Sequence, residues 1–370
     1  MATKKQLLLI GGGHAHLSVL RALATRRFDA WHITLITPHP QQIYSGMLPG
    51  LIAGHYQLAQ CRIDLQALAQ TAGVKVIYAA VTQLDCHSQT VLLSDGRQLA
   101  YALISMDIGS ESRIGELHAL DTSLTSIRPI EGFLGFWQDF RQRCEASPQP
   151  RSMAVVGGGA AGVEMAFALQ YALQRISPHS RVSLFTSPSG LLPGHADKVR
   201  KLIKVTLQQR GIALHLQRVT GSAGGLISED GQLHQFDHVI ATTGAQAPSC
   251  IQGSQLEKDT QGFVAVNSRH QSLSHANVFA AGDVCSRPTP GFSRSGVHAV
   301  KAGPVLANNL LSILADTPPL AEYAPRPASL YLLATGPQHA IGSWGRFCFQ
   351  GAWVWRWKDW IDRGFIRRYS

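Results

Sequence analysis

The sequence is poor in charged residues and lacks paired cysteines and long apolar runs, and each shortage excludes a class of protein. Its six cysteines are spread over 370 residues with no Cys-x-x-Cys pair, which argues against a zinc site, a disulfide framework and a paired-thiol redox motif. No apolar run approaches the roughly 18 residues of a membrane-spanning helix, and no cleavage pattern follows the short apolar stretch near the start. We therefore expect a cytoplasmic protein with no bound metal.

The charge balance is basic, but the cations are dispersed. Lys and Arg number 33 against 23 Asp and Glu, which gives a formal net charge of +10. No block of cations resembles those that track nucleic-acid phosphates, so we expect no nucleic-acid partner. Acidic small molecules and anionic surfaces suit the positive charge. With 45% hydrophobic residues, 15% charged residues and 35 glycines, the composition favours a compact, turn-rich α/β protein.

Two stretches about 146 residues apart carry the same succession of signals, which indicates an internal repeat. Each begins with a short apolar strand that runs into a glycine cluster and then into a helical pattern. A second apolar strand follows, then a hairpin that turns on Asp-Gly, at Asp95 and again at Asp230, and then a strand that leads to a glycine. The matching glycines are Gly11, Gly13 and Gly109 in the first copy and Gly157, Gly159, Gly162 and Gly244 in the second.

A glycine cluster between a strand and a helix is typical of a dinucleotide site. The first glycine permits a tight turn, the second lets a pyrophosphate approach bare backbone, and the helix N-terminus supplies N–H donors. Two such turns predict two dinucleotides. In the first copy His16 replaces the third glycine, and we expect it to hold the helix slightly farther from the strand. Thr37 and Thr186 stand where an acid commonly binds the ribose, so the sequence leaves NADH and NADPH open.

These residues resemble the two-dinucleotide flavoproteins of the pyridine nucleotide-disulfide oxidoreductase superfamily. Residues 277–283 resemble the superfamily's second FAD motif, in which an Asp reaches the ribityl chain of the flavin. Within the superfamily the chain is most similar to type II NADH dehydrogenases, to sulfide:quinone reductases, and to small flavoproteins found alone or fused to selenophosphate synthetase. The segment 44–50, the Arg128-Pro129 linker and the Trp-rich tail 353–363 carry the last of these likenesses.

The resemblance implies an α/β fold with two nested Rossmann-like domains. We predict an FAD domain at residues 1–124 and 247–310, an NAD(P) domain at 125–246, and a C-terminal closing segment at 311–370. The residues expected at FAD are Gly11, Gly13, His14, Ala15, Thr37, Tyr44, Val81, Gly109, Arg128, Asp283, Val297 and His298. Those expected at NAD(P)H are Gly157, Gly159, Ala161, Gly162, Glu164, Thr186 and Gly244, with Glu164 orienting the nicotinamide.

The resemblance also implies an activity, that of an FAD-dependent NAD(P)H oxidoreductase like the type II NADH dehydrogenases. Hydride passes from NAD(P)H to FAD, and electrons pass on to a quinone-like or other small acceptor. No catalytic side chain is assigned, because position and electrostatics suffice for these steps. Two alternatives stay open. One is a reductase of a sulfur or selenium compound that uses Cys285, beside the second FAD motif; the other is a non-catalytic FAD-binding redox sensor.

The C-terminal tail holds four of the seven tryptophans, between residues 353 and 360. On a helical wheel one face is shared by Trp353, Val354, Trp357, Trp360, Ile361 and Phe365. A Trp-rich apolar face flanked by Arg suits a membrane interface, so peripheral attachment to the inner face of the membrane is one expectation. Packing of this helix on its own core or on a partner subunit is the other.

Overall fold

The computed structural model describes residues 4–288, 296–317, 320–324 and 328–370. Helices run over His14–Leu23, Leu48–Ile52, Leu65–Ala72, Ile130–Ala146, Ala160–Ile176, Asp197–Gln209, Gly296–Leu314 and Ala352–Tyr369. Segments of 3₁₀ helix run over Ser45–Met47, Leu58–Cys61, Gly115–Ser123, Ser249–Ile251 and Gly282–Val284. None of the described helices combines the length and the apolar character that a bilayer crossing needs.

A five-stranded parallel sheet, called here the first sheet, carries the first glycine turn. Its strands, from one edge to the other, are Val278–Ala280, Leu103–Met106, Lys5–Ile10, Trp31–Thr37 and Lys75–Tyr78. Residues 7–10 and all of Leu103–Met106 are buried, as expected for a parallel sheet covered on both faces. The helices His14–Leu23 and Gly296–Leu314 pack against each other over this sheet.

A second five-stranded parallel sheet, the second sheet, repeats the design around the second glycine turn. Its strands in order are Leu124–Ser126, His238–Ala241, Ser152–Val156, Arg181–Thr186 and Ala213–Leu216. In both sheets the strand before the glycines is central. The next strand of its own copy pairs with it on one side, and the strand leading to Gly109 or Gly244 pairs with it on the other. The predicted α/β fold with two Rossmann-like units is confirmed.

The predicted hairpins on Asp-Gly are present in both copies. Each belongs to a three-stranded antiparallel sheet. The strands are Val81–Asp85, Thr90–Leu93 and Gln98–Ala100 in the first copy and Val219–Ser222, Gly225–Ser228 and Leu233–His234 in the second. Gly96 and Gly231 have φ of +85° and +81°, a left-handed conformation that glycine adopts without steric penalty.

Short segments carry the chain between the two sheets. Glu111–Ser112, on the outgoing path, pairs antiparallel with Ala245–Gln246 on the return. Leu124–Ser126 already belongs to the second sheet, and Val278–Ala280 is again part of the first. From this path we propose domain boundaries near residues 124 and 247, where the sequence predicts them. The remaining two-stranded pairs are Gln41–Ile43 with Arg62–Asp64 and Val264–Ala265 with Cys285–Ser286.

The C-terminal segment is a small sheet followed by the helix Ala352–Tyr369, which we call the tail helix. The antiparallel strands of the sheet are Leu330–Ala334, Ala340–Trp344 and Phe347–Gly351. The tail helix packs on this sheet and on Arg62–Asp64 of the first unit. Its buried residues are Val354, Trp355, Asp362, Phe365 and Tyr369.

The wheel prediction for the tail helix is wrong in part. Val354 and Phe365 are buried, but Trp353 and Trp360 are 52% and 67% exposed. The buried side also contains Asp362, which is 4% exposed and forms an ion pair with Lys358. The helical wheel fails here because it sorts residues by polarity. Charged residues that form a buried ion pair are assigned to the solvent side, and exposed tryptophans are grouped with the apolar residues of the core.

Candidate functional site

The first glycine turn lies where the strand Lys5–Ile10 passes into the helix His14–Leu23. Gly11 has φ +87°, and a Cβ on it would lie 2.5 Å from the carbonyl oxygen of Asp107. A Cβ on Gly13 would lie equally close to that oxygen, and the Gly13 N–H donates to it over 3.1 Å. The turn therefore needs bare backbone, as a dinucleotide cradle does.

His16 fills the place of a third glycine. Its ring is fully buried, with Nδ1 2.6 Å from the carbonyl oxygen of Gly11 and Nε2 2.8 Å from the hydroxyl of Ser105. Burial lowers the pKa of His16 to about 4, so the ring is neutral. We assign the proton to Nδ1, which donates to Gly11, while Nε2 accepts from Ser105. His16 thereby ties the turn to the strand Leu103–Met106.

Asp283, the acid of the predicted second FAD motif, lies in the turn after the strand Val278–Ala280. Its Oδ2 accepts from Nη2 of Arg128 over 3.2 Å, and Nη1 of Arg128 donates to Ser110, next to Gly109. The other carboxylate oxygen, Oδ1, is buried, and no described residue hydrogen-bonds to it. Because buried polar atoms normally have a partner, this oxygen is available to a hydroxyl of a ligand.

The ring of His14 contacts aromatic side chains from two distant segments. It lies 5.4 Å from the ring of Tyr44 and 5.7 Å from that of Phe365, and these two rings stack at 4.4 Å. Burial lowers the pKa of His14, which keeps the ring neutral. Nε2 of His14 is buried, and none of the residues that the structure describes bonds to it. It is a second polar atom left available beside the first turn.

Thr37 and Val81 lie at the end of the strand Trp31–Thr37. The Thr37 hydroxyl donates to the carbonyl oxygen of His39 over 3.2 Å, and the Thr37 carbonyl accepts from the N–H of Ala79. That bond holds the half-buried Val81 close to the strand end. The ribose acid that is common at this point is absent, as the sequence indicates.

Val297 and His298 begin the helix Gly296–Leu314. A Cβ on Gly296 would lie 3.7 Å from Oγ of Ser45, so this helix start adjoins the segment that carries Tyr44. Val297 is half-buried. The ring of His298 is turned toward Tyr323, whose hydroxyl lies 2.9 Å from Nδ1. A direct contact of the His298 ring with a flavin therefore stays a prediction.

The second glycine turn has the same build with a complete set of glycines. Gly157 has φ +128°, and a Cβ on it would lie 2.5 Å from the carbonyl oxygen of Thr242. A Cβ on Gly162 would lie 1.9 Å from the carbonyl oxygen of Gly157, whereas one on Gly159 would meet no described atom within 4 Å. Ala161 is exposed in the first turn of the helix that follows.

Thr186 lies beneath this second turn. Its hydroxyl oxygen would be 2.3 Å from a Cβ on Gly158 and 2.4 Å from one on Gly190. The N–H of Leu192 donates to the carbonyl of Gly158 over 2.8 Å, which folds the following loop onto the turn. The sequence analysis did not identify Gly190, which leaves room for the Thr186 hydroxyl. Its position four residues after this threonine, at the end of the strand, was the available clue. The carbonyl of Gly244 accepts from Arg113 in the connection between the sheets.

Glu164 lies in the helix after the second turn and reaches the C-terminal segment. Its Oε1 accepts from the N–H of Ala334 over 2.9 Å. Burial raises the pKa of Glu164 to about 7, although the Lys358 ammonium and the Ala334 bond lower it. The carboxyl is therefore poised to hold or release a proton near neutral pH.

Lys358 and Asp362 of the tail helix connect Glu164 to the segment beside the first turn. Nζ of Lys358 donates to Asp362 and to the carbonyl oxygen of Gly46, each over 2.8 Å. The Tyr44 hydroxyl lies near the Asp362 carboxylate. Burial raises the pKa of Asp362 and of Tyr44. We call Glu164, Lys358, Asp362 and Tyr44 the tail network. The sequence analysis assigned no role to Lys358 or Asp362.

Cys285, the residue of the sulfur alternative, is fully buried, and its thiol hydrogen-bonds to the carbonyl oxygen of Gly282. A thiol in such a place packs as a small apolar group rather than reacting. Among the described residues no cluster of His, Cys, Asp and Glu is arranged to hold a metal.

The chain belongs to the pyridine nucleotide-disulphide oxidoreductase family, whose model matches residues 5–303. The prediction of an NAD(P)H-dependent flavin oxidoreductase is confirmed at the level of this family, and so are the predicted cofactors FAD and NAD(P)H. The residues described above fit both cofactors, with two bare-backbone turns and an Asp283 oxygen available in the first unit.

Curated relatives and solved structures agree with this family. The chain is 22% identical over 286 residues to the NADH dehydrogenase-like protein YutJ of Bacillus subtilis, across 77% of this chain and 78% of that one. It is 23% identical over 292 residues to the demethylphylloquinone reductase NdbB of Synechocystis, across 76% and 72%. The sulfide:quinone oxidoreductase of Aquifex aeolicus has the same fold, with a TM-score of 0.80 at 20% identity over 99% of this chain and 91% of that one. The narrower likeness to flavoproteins fused to selenophosphate synthetase stays a prediction.

Two alanine substitutions separate the two functions of glycine in the second turn. We expect Gly162→Ala to lower the melting temperature and to abolish NAD(P)H binding, because its Cβ overlaps the Gly157 carbonyl. Gly159→Ala leaves the melting temperature unchanged, since its Cβ has room, but raises the Kd of NAD(P)H at least about tenfold by blocking the approach to the backbone. Thermal unfolding and nucleotide titration of the FAD-loaded protein measure both effects. An unchanged Kd in Gly159→Ala contradicts the assignment of this turn to the nucleotide.

Proposed function

We propose that this chain passes electrons from NAD(P)H through FAD to a quinone-like or other small acceptor at a membrane surface. The observation that carries the proposal is the pair of glycine turns of one build, one at the end of each parallel sheet. When bound, the flavin supplies the two-electron chemistry between nicotinamide and acceptor. The names of the relatives, an NADH dehydrogenase-like protein and a demethylphylloquinone reductase, support a quinone-like acceptor.

The residues would divide the binding between them. Gly11 and Gly13 would let the FAD pyrophosphate approach the backbone of the first turn, with Ala15, whose N–H donates to Asp107, at the start of the helix behind it. Asp283, held by Arg128, would bind the ribityl chain. Gly157, Gly159, Ala161 and Gly162 would present backbone to NAD(P)H in the same manner. The helix start at Gly296 adjoins Ser45. The N–H groups and the partial positive charge of this helix start would therefore lie near the flavin ring.

Anaerobic reduction tests the proposed electron path directly. We expect the protein purified with FAD to lose its yellow colour on addition of NADH or NADPH in the absence of oxygen, and to regain it on addition of a soluble quinone. Stopped-flow absorbance measures both half-reactions separately. Flavin that neither nicotinamide reduces would overturn the proposal, and reoxidation by oxygen but not by quinones would overturn its acceptor.

Glu164 of the tail network is a proton-bearing group in the helix after the second glycine turn, and Lys358 of the same network contacts the segment beside the first turn. Because Oε1 of Glu164 is bonded to Ala334, a proton on this carboxyl sits on Oε2. Lys358 lies close enough to influence the Glu164 carboxyl and also holds the carbonyl of Gly46. Reduction of a quinone consumes protons, so a neutral carboxyl with a pKa near the working pH suits the role of a general acid.

Replacement of Glu164 tests this role. In the wild type the acceptor-dependent kcat should fall as the pH rises above about 7, because the carboxyl is protonated below its pKa of about 7 and ionised above it. Glu164→Gln should lower kcat at least about tenfold and flatten the profile, while the matched control Asp359→Asn retains it. A raised KM for NAD(P)H with an unchanged kcat profile would instead assign Glu164 to orienting the nicotinamide.

An exposed aromatic surface lies on the C-terminal segment. It consists of Trp344, Phe347, Trp353 and Trp360, which are 52%, 58%, 52% and 67% exposed. The cations Arg346, Arg356 and Arg367 are exposed nearby in the chain, and the guanidinium of Arg346 lies over the ring of Phe347. Tryptophans bordered by arginines are typical of protein surfaces that rest in the headgroup region of a membrane.

Vesicle binding tests this surface. The double variant Trp353→Ser/Trp360→Ser should weaken binding to vesicles that contain anionic phosphatidylglycerol at least about tenfold, without changing the reduction of a water-soluble quinone. The matched control Ile227→Ser/Leu233→Ser removes exposed apolar residues of the second hairpin and should bind as the wild type does. Co-sedimentation measures the bound fraction. Equal vesicle binding by both double variants would contradict membrane attachment. So would a wild-type dimer that is lost in the tryptophan variant and kept in the control variant.

A further inference from the structure

Asp107 is a buried carboxylate that contacts both FAD motifs. It follows the strand Leu103–Met106 and is 3% exposed. Its Oδ2 accepts from the N–H groups of Ala15 and His16 over 2.7 and 2.9 Å, at the start of the helix after the first glycine turn. Its Oδ1 would lie 2.5 Å from a Cβ on Gly13 and 2.7 Å from one on Gly282, so this oxygen faces the space between the first glycine turn and the second FAD motif.

The second copy of the repeat has a neutral residue at the matching place. Thr242 precedes Gly244 by two residues, as Asp107 precedes Gly109. The Thr242 hydroxyl donates to the carbonyl oxygens of Val156 and Gly157 and adds no charge to its turn. The carboxylate is therefore a particular feature of the FAD turn and is not required by the fold of the repeat.

The surroundings of Asp107 disfavour a charge on it. Burial raises its pKa to about 6, although the N–H bonds from His16 and Ala15 lower it, as the ring of His14 would if it were protonated. His14 and His16 are themselves held neutral by burial. Asp283, on the adjoining turn, adds a negative charge that raises the pKa of Asp107 further, and Arg128 is paired with Asp283. A pyrophosphate placed at this helix start would bring two more negative charges.

We propose that Asp107 takes up a proton from solvent when FAD binds at the first glycine turn, so that tight FAD binding requires the neutral carboxylic acid. The inference rests on FAD occupying that turn. In the neutral form Oδ2 keeps its bonds to Ala15 and His16, because a carbonyl oxygen still accepts. The proton then sits on Oδ1 and makes it a donor toward the space between Gly13 and Gly282. Like-charge repulsion is thereby replaced by a hydrogen-bond donor near the cofactor.

Titration of apoprotein with FAD at several pH values tests the proposal. By linkage, the Kd of FAD should rise up to about tenfold per pH unit above about pH 6 until the carboxyl of the complex also ionises. Quenching of FAD fluorescence measures the Kd. Calorimetry at pH 7 in two buffers of different ionisation enthalpy should show net proton uptake on binding. A Kd that is constant over this range, with no buffer-dependent heat, would overturn the inference while leaving FAD binding intact; absence of FAD binding at every pH would overturn the assignment of the turn as well.

Three variants identify the titrating group. Asp107→Asn keeps an oxygen that accepts from Ala15 and His16 but carries no charge, so its Kd should vary less than about twofold with pH. Asp85→Asn is the matched control, since Asp85 also accepts from two backbone N–H groups but lies in an exposed hairpin turn, and it should keep the wild-type slope. His14→Gln should keep the slope too, whatever its effect on affinity. A slope that disappears in His14→Gln and persists in Asp107→Asn would assign the proton to the histidine and overturn the inference.

Discussion

The close approach of a strand end to the start of the next helix is the constraint on which both glycine turns depend. At Gly11 and at Gly157 the backbone is left-handed, and a Cβ would collide with the carbonyl oxygen of Asp107 or Thr242. Any side chain there would push the central strand away from its neighbour. The absence of side chains is thus a packing requirement of the sheet, and the bare backbone that we propose for phosphate binding is its consequence.

The two copies meet this constraint with different neighbours, and the differences are coupled. In the second copy the hydroxyl of Thr242 would lie only 2.5 Å from a Cβ on Gly162, so a larger residue at 162 and a threonine at 242 exclude each other. In the first copy His16 occupies the equivalent place, and Asp107 extends to the helix amides. The two copies therefore share the backbone turn but differ in the side chains packed against it, which are His16 and Asp107 in the first copy and Thr242 in the second.

Local patterns predicted the repeated architecture because the decisive signals are local. Strand, glycine cluster and helix follow each other within a few residues, and Asp-Gly turns fix the hairpins whatever surrounds them. The roles of Asp107 and Lys358 are not local. Asp107 follows a strand and belongs to no recognisable motif. Its role depends on bonds from backbone amides about 90 residues earlier in the chain, which the local sequence does not reveal. The only sequence feature that points to a role for Lys358 is Asp362, four positions later. A pair of opposite charges at this spacing more often lies on the solvent-exposed face of a helix.

The tail helix shows why its charges and its tryptophans have to be considered together. Burying Lys358 and Asp362 costs desolvation energy that apolar residues would avoid, so a helix that only closed the core would not need them. Lys358 donates to the carbonyl of Gly46, and Asp362 lies near Tyr44, in the segment beside the first glycine turn. The exposed tryptophans lie on the other side of the same helix. One helix therefore carries the exposed tryptophans on one side and, on the other, the buried pair that contacts the segment beside the first turn.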